Sequence, residues 1–172
     1  MNKIFNTLFW IFILLGLGTF GLKFYLHNDT EELEAEVGKL KVQLRYNPVH
    51  SGGDKIFGYR VPYDIVWRAG SGDVTEIHFS KDAIVEGKKI KAGRYSLWVK
   101  PSQENWIVIL NGETGQYGTD YERHRDLYQI KVPVRNFEEK VDPLHYGFVR
   151  DQNLLLEISW EHTGIQLSVQ EA

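Results

Sequence analysis

The chain has 172 residues, of which 42% are apolar and 25% are charged, and its formal net charge is −3. This length and composition indicate one globular domain with an appendage, and the acidic balance disfavours a nucleic-acid-binding surface. Because the chain contains no cysteine, disulfides, thiolate catalysis, cysteine-based zinc sites and a lipid-modified cysteine are all excluded.

The N-terminus carries a long apolar segment. From Ile4 to Leu22, nineteen residues carry no formal charge and twelve of them are Leu, Ile or Phe. Such a run is long enough to span a bilayer, so we predict a transmembrane anchor over residues 1–26. Lys3 precedes the run and acidic residues follow it, which favours a single-pass protein of the cytoplasmic membrane with an extracytoplasmic, periplasmic C-terminal domain. The alternative is a cleavable signal peptide, with Gly16 and Gly18 as the small residues before the cut.

An abrupt change of composition follows at residues 27–38, HNDTEELEAEVG. Asp29 with Glu32 three residues later resembles a helix start, and Gly38 resembles a helix stop. We therefore predict a short helical or frayed acidic stalk that acts as a solvated spacer.

From Lys39 onward the hydrophobic pattern has a period of two. The run KLKVQLRY alternates polar and apolar residues, as a strand with one buried and one solvated face requires. Runs of similar character occupy residues 74–80, 94–100, 106–111, 127–134, 154–161 and 165–170, with turns at 86–89 and 162–164 among others.

Strands at this spacing predict that residues 39–172 form an all-β antiparallel β-sandwich, jelly-roll-like or barrel-like. A long irregular connection is expected before Val74. Pro133 lies inside one of the runs and predicts an edge or bulge there, because proline cannot donate a ladder hydrogen bond.

Several ordered motifs resemble a known family. They are YNPVHSGGDKIFGYRVPYDIVWRAGSGDVTEIHFSKD, VEGKKIKAGRYSLWVKP, WIVILN and GQYG, and over residues 40–169 they resemble the bacterial domain of unknown function 2911. That family typically has Arg-Thr-Gly-Ala-Asn where this chain has Arg68-Ala69-Gly70-Ser71-Gly72, and Gln-Trp-Gly where it has Gln116-Tyr117-Gly118. The resemblance implies a secreted or membrane-tethered bacterial domain and brings no reaction, cofactor or catalytic residue. If the family's asparagine contacts a ligand, Gly72 cannot do so.

Two loops are the candidate ligand-binding regions, because binding residues concentrate on loops held by a rigid scaffold. In the first, Arg68 would present a guanidinium fork to a carboxylate or phosphate beside Trp67 as a stacking wall. The structural alternative has Trp67 closing one end of the sandwich and Arg68 neutralised by Asp64 or Asp73. The candidate ligand-binding residues are Trp67, Arg68, Ser71, Asp73, Asn111, Gln116, Tyr117 and Tyr121.

No catalytic or metal-binding constellation is predicted, and no cofactor is implied. The six histidines occur singly, without H-x-H or H-E-x-x-H, so only a zinc site assembled from distant positions would remain. Three tryptophans, Trp98, Trp106 and Trp160, fall inside alternating strands, where core or cross-strand packing is their usual use.

The sequence therefore predicts a non-catalytic module of the cell envelope. Its expected partners are the membrane and a small anion, a glycan or an envelope protein, and nucleic acid is not among them. One alternative is an envelope hydrolase that uses Arg68, Asp73 and His124; the other is a purely structural envelope protein.

Overall fold

The structure is a computed structural model that describes residues 30–150 and 152–172. In this part of the chain it is all-β, with two antiparallel sheets, as the period-two pattern predicts. The predicted transmembrane segment Ile4–Leu22 lies outside the described residues. Within them, no helix has the length and apolar character needed to cross a bilayer.

The larger sheet has six strands and the smaller has four. In the larger sheet the spatial order is β1 (Glu31–Val37), β2 (Leu40–Tyr46), β3 (Thr75–Phe79), β6 (Gly93–Lys100), β7 (Asn105–Asn111) and β8 (Asp126–Pro133). In the smaller sheet it is β5 (Lys88–Ile90), β4 (Ala83–Val85), β10 (Leu154–Glu171) and β9 (Arg135–Arg150). A short 3-10 turn, Arg123–Arg125, precedes β8. Because β8 ends the larger sheet, the prediction that Pro133 lies at an edge is confirmed.

The two sheets bury one common core. In β2 the apolar residues Leu40, Val42, Leu44 and Tyr46 are all buried, while the residues between them are more exposed. Residues of the smaller sheet join the same apolar cluster, among them Ile158. Trp98, Trp106 and Trp160 are at most 2% exposed, so the packing interpretation of these tryptophans is confirmed.

The helical prediction for the acidic segment is wrong, because residues 31–37 form strand β1. This strand pairs with β2 from Glu31↔Tyr46 to Val37↔Leu40, and Gly38 at φ +60° forms the turn between them. Leu33, Ala35 and Val37 alternate and pack against the core. Cross-strand pairing and burial of this alternate row outweigh the helix-start signal, so the segment is part of the β domain.

The predicted turn at residues 162–164 is also wrong, because the chain continues through it as β10. Two register shifts against β9 flank Glu161, which has φ +54°. Gly164 lies so close to the Ile158 carbonyl that a Cβ there would overlap it. The turn-like residues therefore mark a β-bulge, at which the long strand bends.

The irregular connection between β2 and β3 is fixed to the smaller sheet by one carboxylate. Asp142 accepts hydrogen bonds from the Ser51 backbone N–H at 2.9 Å, the Ser51 hydroxyl at 2.8 Å and Trp160 Nε1 at 3.3 Å. Burial raises the pKa of Asp142, but these hydrogen bonds outweigh it and hold the pKa below its ordinary value. The connection is thereby held against strands β9 and β10.

Candidate functional site

The two predicted site loops meet on the outer face of the larger sheet. Asp73 pairs with Tyr117 in an antiparallel bridge, and the Gly118 N–H donates to the Gly72 carbonyl at 3.0 Å. The Val74 N–H donates to the Gln116 carbonyl at 3.3 Å. The sequence singled out both loops, and the structure joins them by backbone hydrogen bonds.

The second loop folds back over the sheet as a flap, here residues 112–122. Under it lies a small apolar cluster of Val74, Trp98 and Ile109, which is separate from the main core. Tyr121 packs over Trp98 with a ring-centroid distance of 4.9 Å. The flap therefore has its own hydrophobic support.

Two predicted site residues hold the ends of the flap. Asn111 is 1% exposed, and its side-chain NH₂ donates to the Glu122 carbonyl and to Asp126 Oδ1, each at 2.9 Å. The Tyr121 hydroxyl donates to Asp126 Oδ2 at 2.7 Å. Burial, with this hydrogen bond to Asp126, raises the pKa of Tyr121 above its ordinary value.

Three other predicted site residues lie where the loops join. Gln116 donates weakly from Nε2 to Ser96 Oγ at 3.4 Å, and its Oε1 is buried without a hydrogen-bond partner in the described part of the chain. The Ser71 N–H donates to the Asn47 carbonyl, and the Ser71 carbonyl accepts from Asn47 Nδ2. Tyr117 is 55% exposed, which leaves it open to contacts from outside.

Trp67 belongs to the main core. Its ring stacks on Trp160 with centroids 5.8 Å apart and an interplanar angle of 15°, and its backbone exchanges two 2.8 Å hydrogen bonds with Val99. Trp67 is therefore a packing residue, as the structural interpretation proposes, and its ring is not free to stack on a ligand.

Arg68 is not neutralised by either acid that the sequence suggested. Asp64 pairs with Lys100 and Asp73 with Arg45, each at 3.9 Å. Arg68 Nε donates to the Gly70 carbonyl at 3.1 Å, and no ion pair to Arg68 occurs within residues 30–150 and 152–172. The pairing prediction is therefore wrong.

The aliphatic stem of Arg68 supports the flap. A Cβ at Gly118 would overlap Arg68 Cδ and would stand 2.7 Å from the Gly72 carbonyl oxygen. Only a residue without a side chain fits between the Arg68 stem and the first loop.

The hydrolase residues are not joined to one another by ion pairs. Asp73 contacts Arg45, and the exposed His124 lies 3.3 Å from Glu122 on its own loop. Among the described residues, no three His, Asp or Glu side chains are placed to hold a metal ion together.

A polar groove of about 380 Å³ opens beside the flap, on the outer face of β1, β2, β3 and β6. The strand register aligns its side chains in two rows across the sheet. One row is Glu32, Arg45 and Glu76; the other is Glu34, Gln43, His78 and Arg94.

The second row is connected by hydrogen bonds. Glu34 accepts from Lys41 and from Gln43 Nε2, each at 2.8 Å, and Gln43 Oε1 lies 3.2 Å from His78 Nδ1. Because of the hydrogen bond from Lys41, with a smaller contribution from Gln43, the pKa of Glu34 is lowered. These side chains are held in place before any ligand arrives.

Glu76 connects the groove to the flap. Its carboxylate accepts from Arg94 Nη1 at 3.1 Å and from the Gly115 backbone N–H at 2.8 Å. The Glu76 side chain is only 8% exposed, whereas that of Arg94 is 55% exposed. The buried acid thus fixes both the flap and an arginine that faces the groove.

Sequence reasoning missed this groove. Period-two alternation places Glu76 and His78 on the solvated side of β3, but it does not indicate which residues of β1, β2 and β6 lie opposite them. The register supplies that information, and register depends on long-range pairing.

The comparisons with known proteins give one match. A family model described as "Protein of unknown function (DUF2911)" matches residues 28–169. Neither the curated proteins nor the solved structures contain a match to the chain. The resemblance noted from the sequence motifs is confirmed.

Proposed function

The chain belongs to the DUF2911 family, and we propose that it is a non-catalytic module that binds a small polar ligand in the groove beside the flap. The sequence predicts a ligand site on the two loops, and we propose instead that the ligand binds in the groove beside them. Two loop residues contact groove side chains: Asp73 lies 3.9 Å from Arg45, and the Gly115 N–H donates to Glu76.

The observation that carries this proposal is the preorganised polar lining of the groove. Small-ligand sites are concave and contain a few fixed polar groups. Here Glu34, Gln43 and His78 hold one another, while Glu76 holds Arg94. Side chains that are already ordered lose less conformational entropy when a ligand binds.

A hydrolase has less support. Of the three acids that line the groove, Glu34 and Glu76 are engaged in hydrogen bonds to cations or amides. The third, Glu32, is exposed and has no ion-pair partner among the described residues that would orient it as a general base. Arg68, Asp73 and His124 have other partners.

We expect a specific small polar ligand to stabilise the purified full-length chain in a thermal-shift screen of sugars, amino acids, small peptides and anions. Binding at a ligand concentration of one hundred times Kd would add about 2.7 kcal/mol to the free energy of unfolding. The shift should disappear in Arg94→Ala, which removes the groove guanidinium that Glu76 holds in place. It should persist in Arg135→Ala, which removes an exposed arginine of β9 outside the groove. No shift with any class of compound would favour the structural alternative.

We further propose that the domain is tethered outside the cytoplasmic membrane by residues 1–26. The uncharged run from Ile4 to Leu22 supports this. We expect the full-length chain to stay with membranes after an alkaline carbonate wash, and its C-terminal domain to be digested by protease added to spheroplasts.

The matched control for the anchor is Leu14→Arg with Leu15→Arg, because two charges at the centre of the run cost about 5 to 7 kcal/mol of insertion. That variant should leave the membrane fraction. A wild-type chain released in shortened form, with a new N-terminus near Gly18, would identify a cleaved signal peptide instead.

A further inference from the structure

We infer that the groove ligand is a small zwitterion, which carries an ammonium-type cation at one end and a carboxylate-type anion at the other. This inference rests on the proposed function and specifies its ligand class. It depends on which charged side chains of the groove already have a partner within the protein and which are free to bind a ligand.

The anion-binding end is Arg94. A guanidinium offers five N–H donors in a planar fork, and the Glu76 carboxylate engages Nη1 alone. Because Glu76 fixes the fork while most of the Arg94 side chain remains exposed, the remaining donors can bind a planar oxyanion in a bidentate manner.

The cation-binding end is Glu32. This exposed residue of β1 makes no ion pair with any residue in the described ranges, whereas its neighbour Glu34 is bound by Lys41. Its cross-strand partner Arg45 instead approaches Asp73 at 3.9 Å. The Glu32 carboxylate is therefore available to an ammonium group.

The spacing of the two ends sets the size of the ligand. Glu32 lies on β1 and Arg94 on β6, three strand intervals apart in the sheet order. At about 4.8 Å per interval the two strands are about 14 Å apart. Arg94 also lies two residues, or about 7 Å, along β6 from the position in register with Glu32, so the two backbones are about 16 Å apart. Both side chains line the groove. An extended tripeptide, at about 10 Å, fits between them.

A ligand with one sign of charge fits less well. An anion bound at Arg94 that extended along the groove would meet Glu34 and Glu32, and a cation bound at Glu32 that extended the other way would meet Arg94. Like charges placed against a site suppress the wrong ligands. A zwitterion aligned with the groove meets opposite charge at both ends.

The test measures, by calorimetry on the full-length chain, the binding of three probes that share one backbone: triglycine, N-acetyl-triglycine and triglycine amide. We expect triglycine to bind at least about tenfold more tightly than either blocked form. Arg94→Gln should weaken triglycine and N-acetyl-triglycine but leave triglycine amide unchanged. Glu32→Gln should weaken triglycine and triglycine amide but leave N-acetyl-triglycine unchanged.

The outcomes separate this inference from the proposed function. If all three probes bind equally well and Arg94→Ala abolishes their binding, the zwitterion inference is wrong but the groove is still the binding site. Binding that persists in every groove variant would overturn both. If none of the three probes binds, the zwitterion inference fails, and the groove proposal is then decided by the wider ligand screen.

Discussion

Gly118→Ala should destabilise the protein by about 2 to 3 kcal/mol, because the added Cβ would overlap the Arg68 stem and press on the Gly72 carbonyl. To admit the methyl group, the flap must move away from the first loop and strain the hydrogen bond from Gly118 to Gly72. Urea denaturation followed by circular dichroism measures the loss. We also expect faster proteolysis within residues 112–122, since a displaced flap opens locally.

Gly112→Ala is the matched control within the same flap. A Cβ there would meet mainly the tip of Leu127 at 3.1 Å, and Leu127 is exposed and free to move. Its cost should stay within about 0.5 kcal/mol. If Gly118→Ala and Gly112→Ala prove equally stable, the close junction between flap and first loop does not exist.

The backbone explains one glycine in each of the two blocks where the chain departs from the family pattern. Gly72 has φ +64°, a left-handed conformation that glycine and asparagine tolerate best. The asparagine that the resemblance implies for the family at this position would satisfy the same backbone requirement. Gly118, which ends the second motif, is required by the close approach of Arg68. Both glycines lie where the two loops are joined by backbone hydrogen bonds.

A strand could be predicted from the sequence where apolar residues alternate with polar ones and the apolar residues are buried. The row from Leu40 to Tyr46 in β2 is such a case, since its residues face the core of a sheet with a solvated outer side. In β1 the same alternation was present at Leu33, Ala35 and Val37, but the acidic residues between them also suited a helix. Only pairing with β2 decides between the two, and pairing is a long-range property.

The smaller sheet was harder to predict. Strand β9, Arg135–Arg150, carries many charges and is exposed along much of its length, so its hydrophobic pattern is weak. It is a strand because β10 pairs with it through two register shifts. The groove escaped prediction for a related reason. Its side chains come from four strands, and in each strand taken alone they look like ordinary outward-facing polar residues.

Glu76 links stability to the proposed function, and we expect Glu76→Ala to cost about 2 to 3 kcal/mol. The substitution removes two charge-assisted hydrogen bonds and leaves the Gly115 N–H without its acceptor. Since Arg94 is more than half exposed, water can solvate its released guanidinium, which keeps the loss below that of a fully buried pair. Thermal unfolding should show a fall in Tm of roughly 5 to 10 °C.

Two further variants test whether the charge of Glu76 and its position in the groove are both needed. Glu76→Gln keeps an acceptor for Gly115 while removing the charge that holds Arg94, so it should cost only about 1 kcal/mol yet abolish ligand-induced stabilisation. Glu34→Ala removes an exposed acid of the same groove, so it should leave the flap intact to proteolysis. Because Glu76 binds both the flap and the Arg94 guanidinium, Glu76→Ala should open the flap and abolish binding, whereas Glu76→Gln should abolish binding and leave the flap closed. A Glu76→Gln protein that binds ligand as tightly as the wild type would show that the orientation of Arg94 does not matter, and the groove would lose its strongest support.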